Sequence, residues 1–260
     1  VLAGAALALV VWHVVTVAPS LRPAAVPERA RDAPVVRVFT ANLAYGNPSA
    51  GRTAIEAADA GADVVAFQEV TAEHIESLEQ AGIARSFPYR FLDPRRGAFG
   101  SAIYSRLALS ATSSLNLAGL PITVATVSVG AAQVRLYNVH TMAPSTSSDL
   151  QRRNRQLAAL AFRMEAEPGP VMAVGDFNAT PWDPAFRRLL DRGFVDAHER
   201  TGRGLARTFP SGRRYPPVVL IDHVVVSPGV VPLRVWEGSG SGSDHRPVLA
   251  DLAVTGEGRD

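Results

Sequence analysis

The chain has 260 residues, of which 47% are hydrophobic, and its formal net charge is only +2. This length and hydrophobic content suffice to bury one large core or two small ones, and they exclude extended disorder away from the ends. The absence of cysteine excludes disulfides and thiolate metal sites. Every basic residue is Arg, which binds phosphate in a bidentate way, but composition alone does not establish nucleic-acid binding.

The N-terminal segment, residues 1–17, is uncharged and apolar and reads VLAGAALALVVWHVVTV. Its length is at the lower limit for a membrane span, which needs roughly 17–25 residues. We predict that it is the end of a transmembrane helix in a longer gene product, because a linker containing Pro and Arg comes next at residues 18–33. A buried core helix is the alternative. Three Arg residues of the linker favour a cytoplasmic location for the domain after it, but the orientation depends on the other flank of the helix as well.

Strands alternate with helices from residue 34 onward, which predicts a single α/β domain over residues 34–255 and a short tail at 256–260. β-branched runs predict the strands, and apolar residues at helical spacing predict the helices. In chain order the predicted elements are strand 35–40, helix 49–60, strand 63–68, helix 72–80, strands 101–105, 122–129 and 134–139, helix 148–165, strand 171–174, helix 184–191, and strands 218–226 and 248–254.

Polar clusters of one chemical type stand at the ends of several of these strands, where a β-sheet would bring them to its rim. The clusters are Thr40-Ala41-Asn42-Leu43, Phe67-Gln68-Glu69-Val70, Gly175-Asp176-Phe177-Asn178-Ala179-Thr180 and Gly242-Ser243-Asp244-His245-Arg246-Pro247. Carboxylates, carboxamides and an imidazole on one rim can hold a hard divalent cation and transfer protons around a phosphate. The pattern therefore predicts a metal-dependent phosphoesterase.

The ordered set of motifs resembles the endonuclease/exonuclease/phosphatase superfamily, which includes DNase I-like nucleases, abasic-site endonucleases, sphingomyelinases and inositol-polyphosphate phosphatases. To the clusters above it adds Gly100 to Arg106, Asn138-Val139-His140 and Ile221-Asp222-His223. Each motif alone is weak, but the complete set in order is specific. The resemblance implies a DNase I-like four-layered α/β sandwich, in which two facing mixed β-sheets are flanked by helices and the active site lies at one edge of the pair.

The resemblance also implies roles for individual residues. Glu69 would be the main ligand of Mg²⁺, with Asn42 and Asp244 close by and Mn²⁺ as an alternative ion. His245 would contact the scissile phosphate or transfer a proton, and Asp222 would orient its ring. Asp176 would position or deprotonate the attacking water. The two remaining catalytic residues are Asn178 and His140, which would contact the phosphate.

Other polar and aromatic residues have structural interpretations. His223 follows Asp222 on a strand and should point to the opposite face. We expect His74 to be exposed on a helix, His198 to lie in a loop without a clear partner, and the Arg152, Arg153 and Arg155 run to face solvent. Trp182 could equally pack in the core or line the rim of the substrate cleft.

The substrate is predicted from a finer resemblance. The segment Asn178 to Arg187, the Thr208-Phe209-Pro210 motif and the apolar N-terminus are most similar to membrane-attached bacterial members associated with teicoplanin resistance. We therefore expect a lipid-linked or cell-envelope phosphoester as substrate, the bacterial cytoplasmic membrane as location and a catalytic domain outside it. The oligomeric state is not predicted.

Two alternative functions remain. The first is a DNase I-like nuclease, which would share every catalytic residue. Two Arg-rich loops could flank the site and supply cations for a polyphosphate, an anionic headgroup or a nucleic-acid backbone; these hold Arg85, Arg90, Arg95 and Arg96, and Arg203, Arg207, Arg213 and Arg214. The second is a noncatalytic binding module on the same fold, which should have lost some of the site residues.

Overall fold

A computed structural model gives the structure of residues 2–212 and 216–256. Two six-stranded sheets dominate it. Sheet one has the strand order β11-β12-β1-β2-β4-β3, and sheet two has the order β5-β6-β7-β8-β10-β9. The strands are β1 (Val35–Asn42), β2 (Val64–Gln68), β3 (Tyr89–Asp93), β4 (Ser101–Ser105), β5 (Leu109–Leu117), β6 (Leu120–Val129), β7 (Ala132–His140), β8 (Val171–Asp176), β9 (Val195–Asp196), β10 (Asp222–Val226), β11 (Val230–Glu237) and β12 (Val248–Val254).

Both sheets are mixed. β1 and β2 are parallel in sheet one, β7 and β8 are parallel in sheet two, and the other neighbouring strands are antiparallel. The α-helices are α1 (Leu2–Val17), α2 (Ala50–Asp59), α3 (Ala72–Gln80), α4 (Ile83–Ser86), α5 (Ser147–Glu165), α6 (Pro184–Leu190) and α7 (Ala197–Arg200).

Three apolar clusters bind the layers together. The central cluster joins the facing sides of the sheets, with residues such as Val38 of sheet one against Leu136 and Val174 of sheet two. A second packs α5 and α6 on the outer face of sheet two, and a third packs α2, α3 and α4 on the outer face of sheet one. The result is the predicted four-layered α/β sandwich, in which each sheet is apolar on both faces.

A buried polar network crosses between the two sheets. Gln68 Nε2 of sheet one donates to Asn138 Oδ1 of sheet two at 2.7 Å, and Asn138 Nδ2 donates back to the Phe67 carbonyl oxygen at 3.0 Å. Both side chains are almost completely buried. Because an unpaired amide at this depth costs about 1–3 kcal/mol, these bonds fix how the strands of one sheet lie over those of the other.

The predicted elements agree with the structure in the interior of each sheet and differ at the edges. Four strands were missed, and they are the edge strands β3, β11, β5 and β9. The predicted strand 218–226 begins later, at Asp222, and is preceded by a single bridge between Val219 and Phe209. Edge strands have one paired side, so their sequences lack the continuous apolar run that identifies a central strand.

The N-terminal residues form the helix α1, whose described side chains from Leu9 to Val15 are exposed. Among the described residues, no helix has the length and apolar content needed to cross a membrane. The transmembrane assignment of residues 1–17 therefore stays a prediction. Most of the predicted tail, residues 257–260, lies outside the described residues.

The segment predicted to be a linker, residues 18–33, lies against the α/β domain; we call it the strap. Ala24 N donates to the Arg200 carbonyl oxygen at 3.0 Å, and Gly204 N donates to the Ser20 carbonyl oxygen at 2.9 Å. A Cβ on Gly204 would lie 2.4 Å from the Ser20 Cβ, so a glycine is needed where the strap crosses. The strap is thus a packed element and not a free spacer.

Candidate active site

The strand registers bring the predicted site residues to one edge of both sheets. In sheet one, Asn42 at the end of β1 pairs with Gln68 at the end of β2, so Glu69 follows directly. In sheet two, Asp176 at the end of β8 lies opposite both His140 of β7 and Asp222 of β10. The Asp244-His245 segment precedes β12, which runs antiparallel beside β1 and so begins at this same edge.

These residues surround a cleft of about 470 Å³. Its lining residues are Ala44, Tyr45, Gly46, Asn47, Pro48, Glu69, His140, Ala143, Asp176, Asn178, Phe209, Ile221, Gly242, Asp244 and His245. Six of the eight predicted site residues are therefore in the lining. Asn42 and Asp222 lie behind it and contact residues that form it.

Two carboxylates from different sheets meet at the base of the cleft. Asn42 Nδ2 lies 3.1 Å from Glu69 Oε1 and 3.1 Å from Asp176 Oδ2, so one amide group donates to both. Glu69 has a left-handed backbone (φ 57°), and its other carboxylate oxygen accepts from Tyr45 N at 2.9 Å. Such a conformation is costly for a residue other than glycine, and it persists because the surrounding contacts fix this side chain.

The residue before Asp176 must be a glycine, because the neighbouring strand leaves no space for a side chain there. Gly175 has φ 136°, and a Cβ there would lie 2.0 Å from the Val139 carbonyl oxygen. The close approach of β7 and β8 places Asp176 beside His140. Burial raises the pKa of Asp176, against the opposing effect of His245, because a charged carboxylate loses its hydration there.

His245 and Asp222 form a buried pair. The Asp222 carboxylate oxygens lie 2.9 and 3.1 Å from His245 Nδ1, and the Phe209 ring packs on the imidazole with 4.8 Å between the ring centroids. Burial lowers the pKa of His245, but the charges of Asp222 and Asp176 outweigh it and raise that pKa to about 10. This agrees with the predicted role of Asp222 in orienting the ring, and it makes His245 an imidazolium whose Nε2 lies 3.8 Å from Asp176 Oδ2.

His140 flanks Asp176 on the other side. Its Nε2 is 3.6 Å from Asp176 Oδ2 and 3.7 Å from Glu69 Oε1, while its Nδ1 is 2.9 Å from the Ala98 carbonyl oxygen. The Ala98 contact requires a proton on Nδ1. The second nitrogen of each histidine is therefore directed at the carboxylates.

Asn178 is positioned by residues that its sequence motif does not contain. It has φ 46°, and its Nδ2 donates to the Thr141 carbonyl oxygen at 3.0 Å. Arg153 Nη1 donates to the Asn178 carbonyl oxygen at 2.8 Å and pairs with Asp183. The prediction that Arg153 faces solvent is wrong: its side chain is buried and supports the loop that carries Asn178.

His74 is a second correction, because it is buried and not exposed. Its Nδ1 lies 3.1 Å from the Glu69 carbonyl oxygen and its Nε2 lies 3.1 Å from the Asn47 carbonyl oxygen. His74 therefore connects α3 to the two loops that form one wall of the cleft. The sequence does carry a signal for this position. His74 is the third residue of α3 after the N-cap Thr71, where a polar side chain often turns back and bonds to the start of the helix.

Neither an Arg side chain nor Trp182 is among the described residues that line the cleft. None of the described lining residues is Arg, and Arg90, Arg95 and Arg203 pair with Glu79, Asp93 and Glu237. The expectation that the Arg-rich loops supply cations to a substrate therefore stays a prediction; Arg213 and Arg214 lie outside the described residues. Trp182 is 43% exposed and lines a different pocket.

A second buried ionic cluster lies on the other side of β10. His223 faces it, as the alternation along the strand predicted, and contacts Asp196. His198, expected to be a loop residue without a partner, is buried between Asp196 Oδ1 at 3.6 Å and Glu237 Oε1 at 3.4 Å. Burial lowers the pKa of His198, but the two carboxylates raise it to about 9. The cluster is a charge-paired support of the sheet edge.

Comparisons with known proteins agree with this geometry. A model of the endonuclease/exonuclease/phosphatase family matches residues 39–245. The chain belongs to the endonuclease/exonuclease/phosphatase family. No curated protein matched the chain in sequence.

Three solved structures show the same fold at low sequence identity. A family member from Bacteroides vulgatus is 19% identical, with 85% of this chain and 99% of that chain covered and a TM-score of 0.71. D. rerio TDP2 complexed with single-strand DNA product is 17% identical, with coverage of 85% and 99% and a TM-score of 0.71. A family member from Beutenbergia cavernae is 18% identical, with coverage of 85% and 72% and a TM-score of 0.66.

Membership of the endonuclease/exonuclease/phosphatase family makes the chain a metal-dependent hydrolase of phosphoester bonds. The donor set fits a hard cation, because Glu69, Asp176 and Asp244 bring carboxylate oxygens to one cleft and Asp176 is a buried carboxylate whose charge a cation would stabilise. Glu69 and Asp244 would hold the ion, which when bound polarises the phosphoryl oxygens. Asn42 directs its NH₂ to the carboxylates while its oxygen accepts from Ala44 N at 2.9 Å. Its predicted role as a ligand would need the amide to turn over.

The side chains of the cleft can supply both a base and hydrogen-bond donors for the reaction. Asp176, whose raised pKa makes it a stronger base than an ordinary aspartate, is suited to hold and deprotonate the attacking water. The His245 imidazolium can donate a hydrogen bond to a phosphoryl oxygen, and Asp222 keeps it protonated. Asn178 and His140 lie in the same lining, where the Asn178 amide has a second N–H to donate to a remaining oxygen and His140 presents its Nε2.

Replacing Asp222 with Asn removes the charge that does most to raise the pKa of His245, so that pKa falls from about 10. In the mechanism above His245 acts in its protonated form, and we therefore expect the alkaline limb of the kcat/KM profile to move to lower pH and the rate at pH 8 to fall about 10²–10⁴-fold. The measurement is a pH–rate profile on bis(p-nitrophenyl) phosphate. The exposed Asp59→Asn on α2 is the control; an unmoved limb in Asp222→Asn would contradict the role of the pair.

The second prediction concerns stability and the buried cluster. Because the folded pKa of His198 is raised from 6.5 to about 9, its stabilising effect is complete below pH 6.5 and is lost as the pH rises through 9. We expect His198→Gln to lower the unfolding free energy by about 3–5 kcal/mol at pH 6, since two buried carboxylates each lose one of their partners, and by less above pH 9. Thermal unfolding between pH 6 and 10 measures this, with the exposed His13→Gln as control. A deficit that does not shrink with rising pH would exclude a charged His198.

Proposed function

We propose that the chain is a Mg²⁺-dependent phosphoesterase that hydrolyses a phosphate ester or pyrophosphate of a lipid-linked or cell-envelope substrate, with Mn²⁺ able to replace Mg²⁺. The chemistry is supported by one observation above all. Glu69 and Asp176 come from different sheets to share one amide donor, and two imidazole Nε2 atoms lie within 3.8 Å of Asp176. The arrangement thus brings imidazole groups, a carboxylate base and oxygen ligands for a metal ion together in one cleft.

The substrate class is supported by what the cleft lacks and by what lies at the N-terminus. A nucleic-acid backbone needs several cations along its path, and no described lining residue is Arg. A single phosphoester or pyrophosphate bound by a metal ion does not need them. The exposed apolar side chains of α1 fit a chain held at a membrane, where lipid-linked substrates are found.

The location forms part of the same proposal. The resemblance to membrane-attached bacterial members suggests a bacterial cytoplasmic membrane with the catalytic domain outside it. α1 would be the attachment, and the strap would hold the domain close to the bilayer surface because it is hydrogen-bonded to the domain and not free.

A nuclease is the second candidate. The TDP2 structure with a single-strand DNA product shares the fold, and Tyr45 on the cleft wall is 59% exposed, which suits stacking on a base. Such an enzyme would use the same Glu69, Asp176 and His245, so that the chemistry alone does not distinguish the two candidates.

The test is Mg²⁺-dependent hydrolysis by the full chain in detergent, with lipid-linked pyrophosphate and supercoiled plasmid assayed side by side. We expect cleavage of the lipid substrate, lowered more than about 10²-fold in Glu69→Ala and in His245→Ala because each removes charge stabilisation at the phosphate. The exposed Glu73→Ala and Arg152→Ala, each of which removes a charge away from the cleft, are the controls. Nicking of the plasmid alone would establish the nuclease instead, and equal losses in the controls would refute the assigned site.

A further inference from the structure

A second pocket, of about 700 Å³, lies between the strap and the α6–α7 region. It shares no lining residue with the catalytic cleft. The strap supplies Arg22, and the domain supplies Trp182, Arg187 and Arg200. Because the strap follows α1 directly, this pocket is built at the point where the apolar helix joins the catalytic domain.

The pocket has a net positive charge, because only one of its three Arg residues forms an ion pair within it. Arg187 pairs with Glu199 at 2.6 Å. Arg200 Nη2 donates to the Ala25 carbonyl oxygen at 2.7 Å, which holds its guanidinium against the strap, and neither Arg200 nor Arg22 has an ion-pair partner among the described residues. Two cations are therefore available to an anion, and guanidinium groups bind phosphate in a bidentate way.

The surroundings of the pocket are apolar and exposed. Trp182 is 43% exposed and Val195 is 36% exposed, while the described large side chains of α1, from Leu9 to Val15, are 52–68% exposed. Tryptophan and arginine beside an apolar helix are typical of protein at the level of lipid headgroups. A soluble anion would use the arginines alone, whereas a lipid surface uses the tryptophan and α1 as well.

We propose that this pocket binds the phosphate headgroup of an anionic phospholipid and thereby seats the catalytic domain on the bilayer. The inference rests on the proposed membrane attachment, but it is independent of the chemistry at Glu69 and His245. Arg22 and Arg200 contact the phosphate, and Trp182 lies at the interface beside it. The strap holds the pocket in shape through its bonds to Arg200 and Gly204.

The test is the partition of the full chain into phosphatidylcholine vesicles with and without phosphatidylglycerol. We expect a preference for the anionic vesicles that falls about thirtyfold in Arg22→Gln/Arg200→Gln, because two Arg near an anionic surface are lost. Arg52→Gln/Arg152→Gln, which removes the same charge from exposed positions on α2 and α5, should change the preference less than about threefold, since these residues are away from the pocket.

Three results would overturn the proposal: no preference for the anionic vesicles, an equal loss in both double variants, or displacement from the vesicles by inorganic phosphate at constant ionic strength. The third would identify a site for free anions. Hydrolysis of bis(p-nitrophenyl) phosphate, measured in the same samples, should be unchanged in Arg22→Gln/Arg200→Gln, which shows that the variant folds. Absent Mg²⁺-dependent hydrolysis of lipid-linked pyrophosphate with an intact lipid preference would refute the proposed function and leave this site in place.

Discussion

The bonds between the two sheets are the constraint on which the site depends. Gln68 and Asn138 form a hydrogen bond between the sheets deep in the core. Nearer the cleft, Asn42 of sheet one donates to Asp176 of sheet two. Neither sheet carries a complete set of catalytic groups. A shift of one sheet over the other would leave buried amides unpaired and would separate the carboxylates, so that the same contacts specify the packing of the core and the geometry of the cleft.

The site also contains residues with unfavourable backbone conformations. Glu69 and Asn178 adopt left-handed conformations, and Gly175 permits an approach of β8 to β7 that a side chain would block. Burial and the neighbouring charge of Asp222 meanwhile raise the pKa of Asp176, so a charged carboxylate is held there at a cost. Strain and crowded charge reduce stability, and they are maintained by packing such as that of His74 and Arg153 behind the cleft walls. A cation in the cleft would offset part of this repulsion.

The sequence predicted the central strands, because these are apolar on both faces, and the residues that meet at the rim, because the motifs follow those strands directly. The layered fold was implied by the family resemblance and is confirmed by the structure. The sequence did not predict the four edge strands, because an edge strand is paired on one side and lacks the continuous apolar run that identifies a central strand. It also misjudged His74, Arg153 and His198, which are polar yet buried. Each is paired by residues distant in sequence or by a backbone carbonyl, and a local pattern does not show such partners. The packing of the strap likewise depends on Gly204, which lies far along the chain from it.

The central claim is that strands of both sheets create a single site for a divalent cation around Glu69. Binding of Mn²⁺ to the full chain, followed by the loss of the free-ion signal in electron paramagnetic resonance, measures it without any assumption about the substrate. We predict one tight Mn²⁺ in the wild type and a loss of affinity greater than about a hundredfold in Glu69→Gln, while the exposed Glu73→Gln binds as the wild type does. Unchanged affinity in Glu69→Gln would contradict the claim.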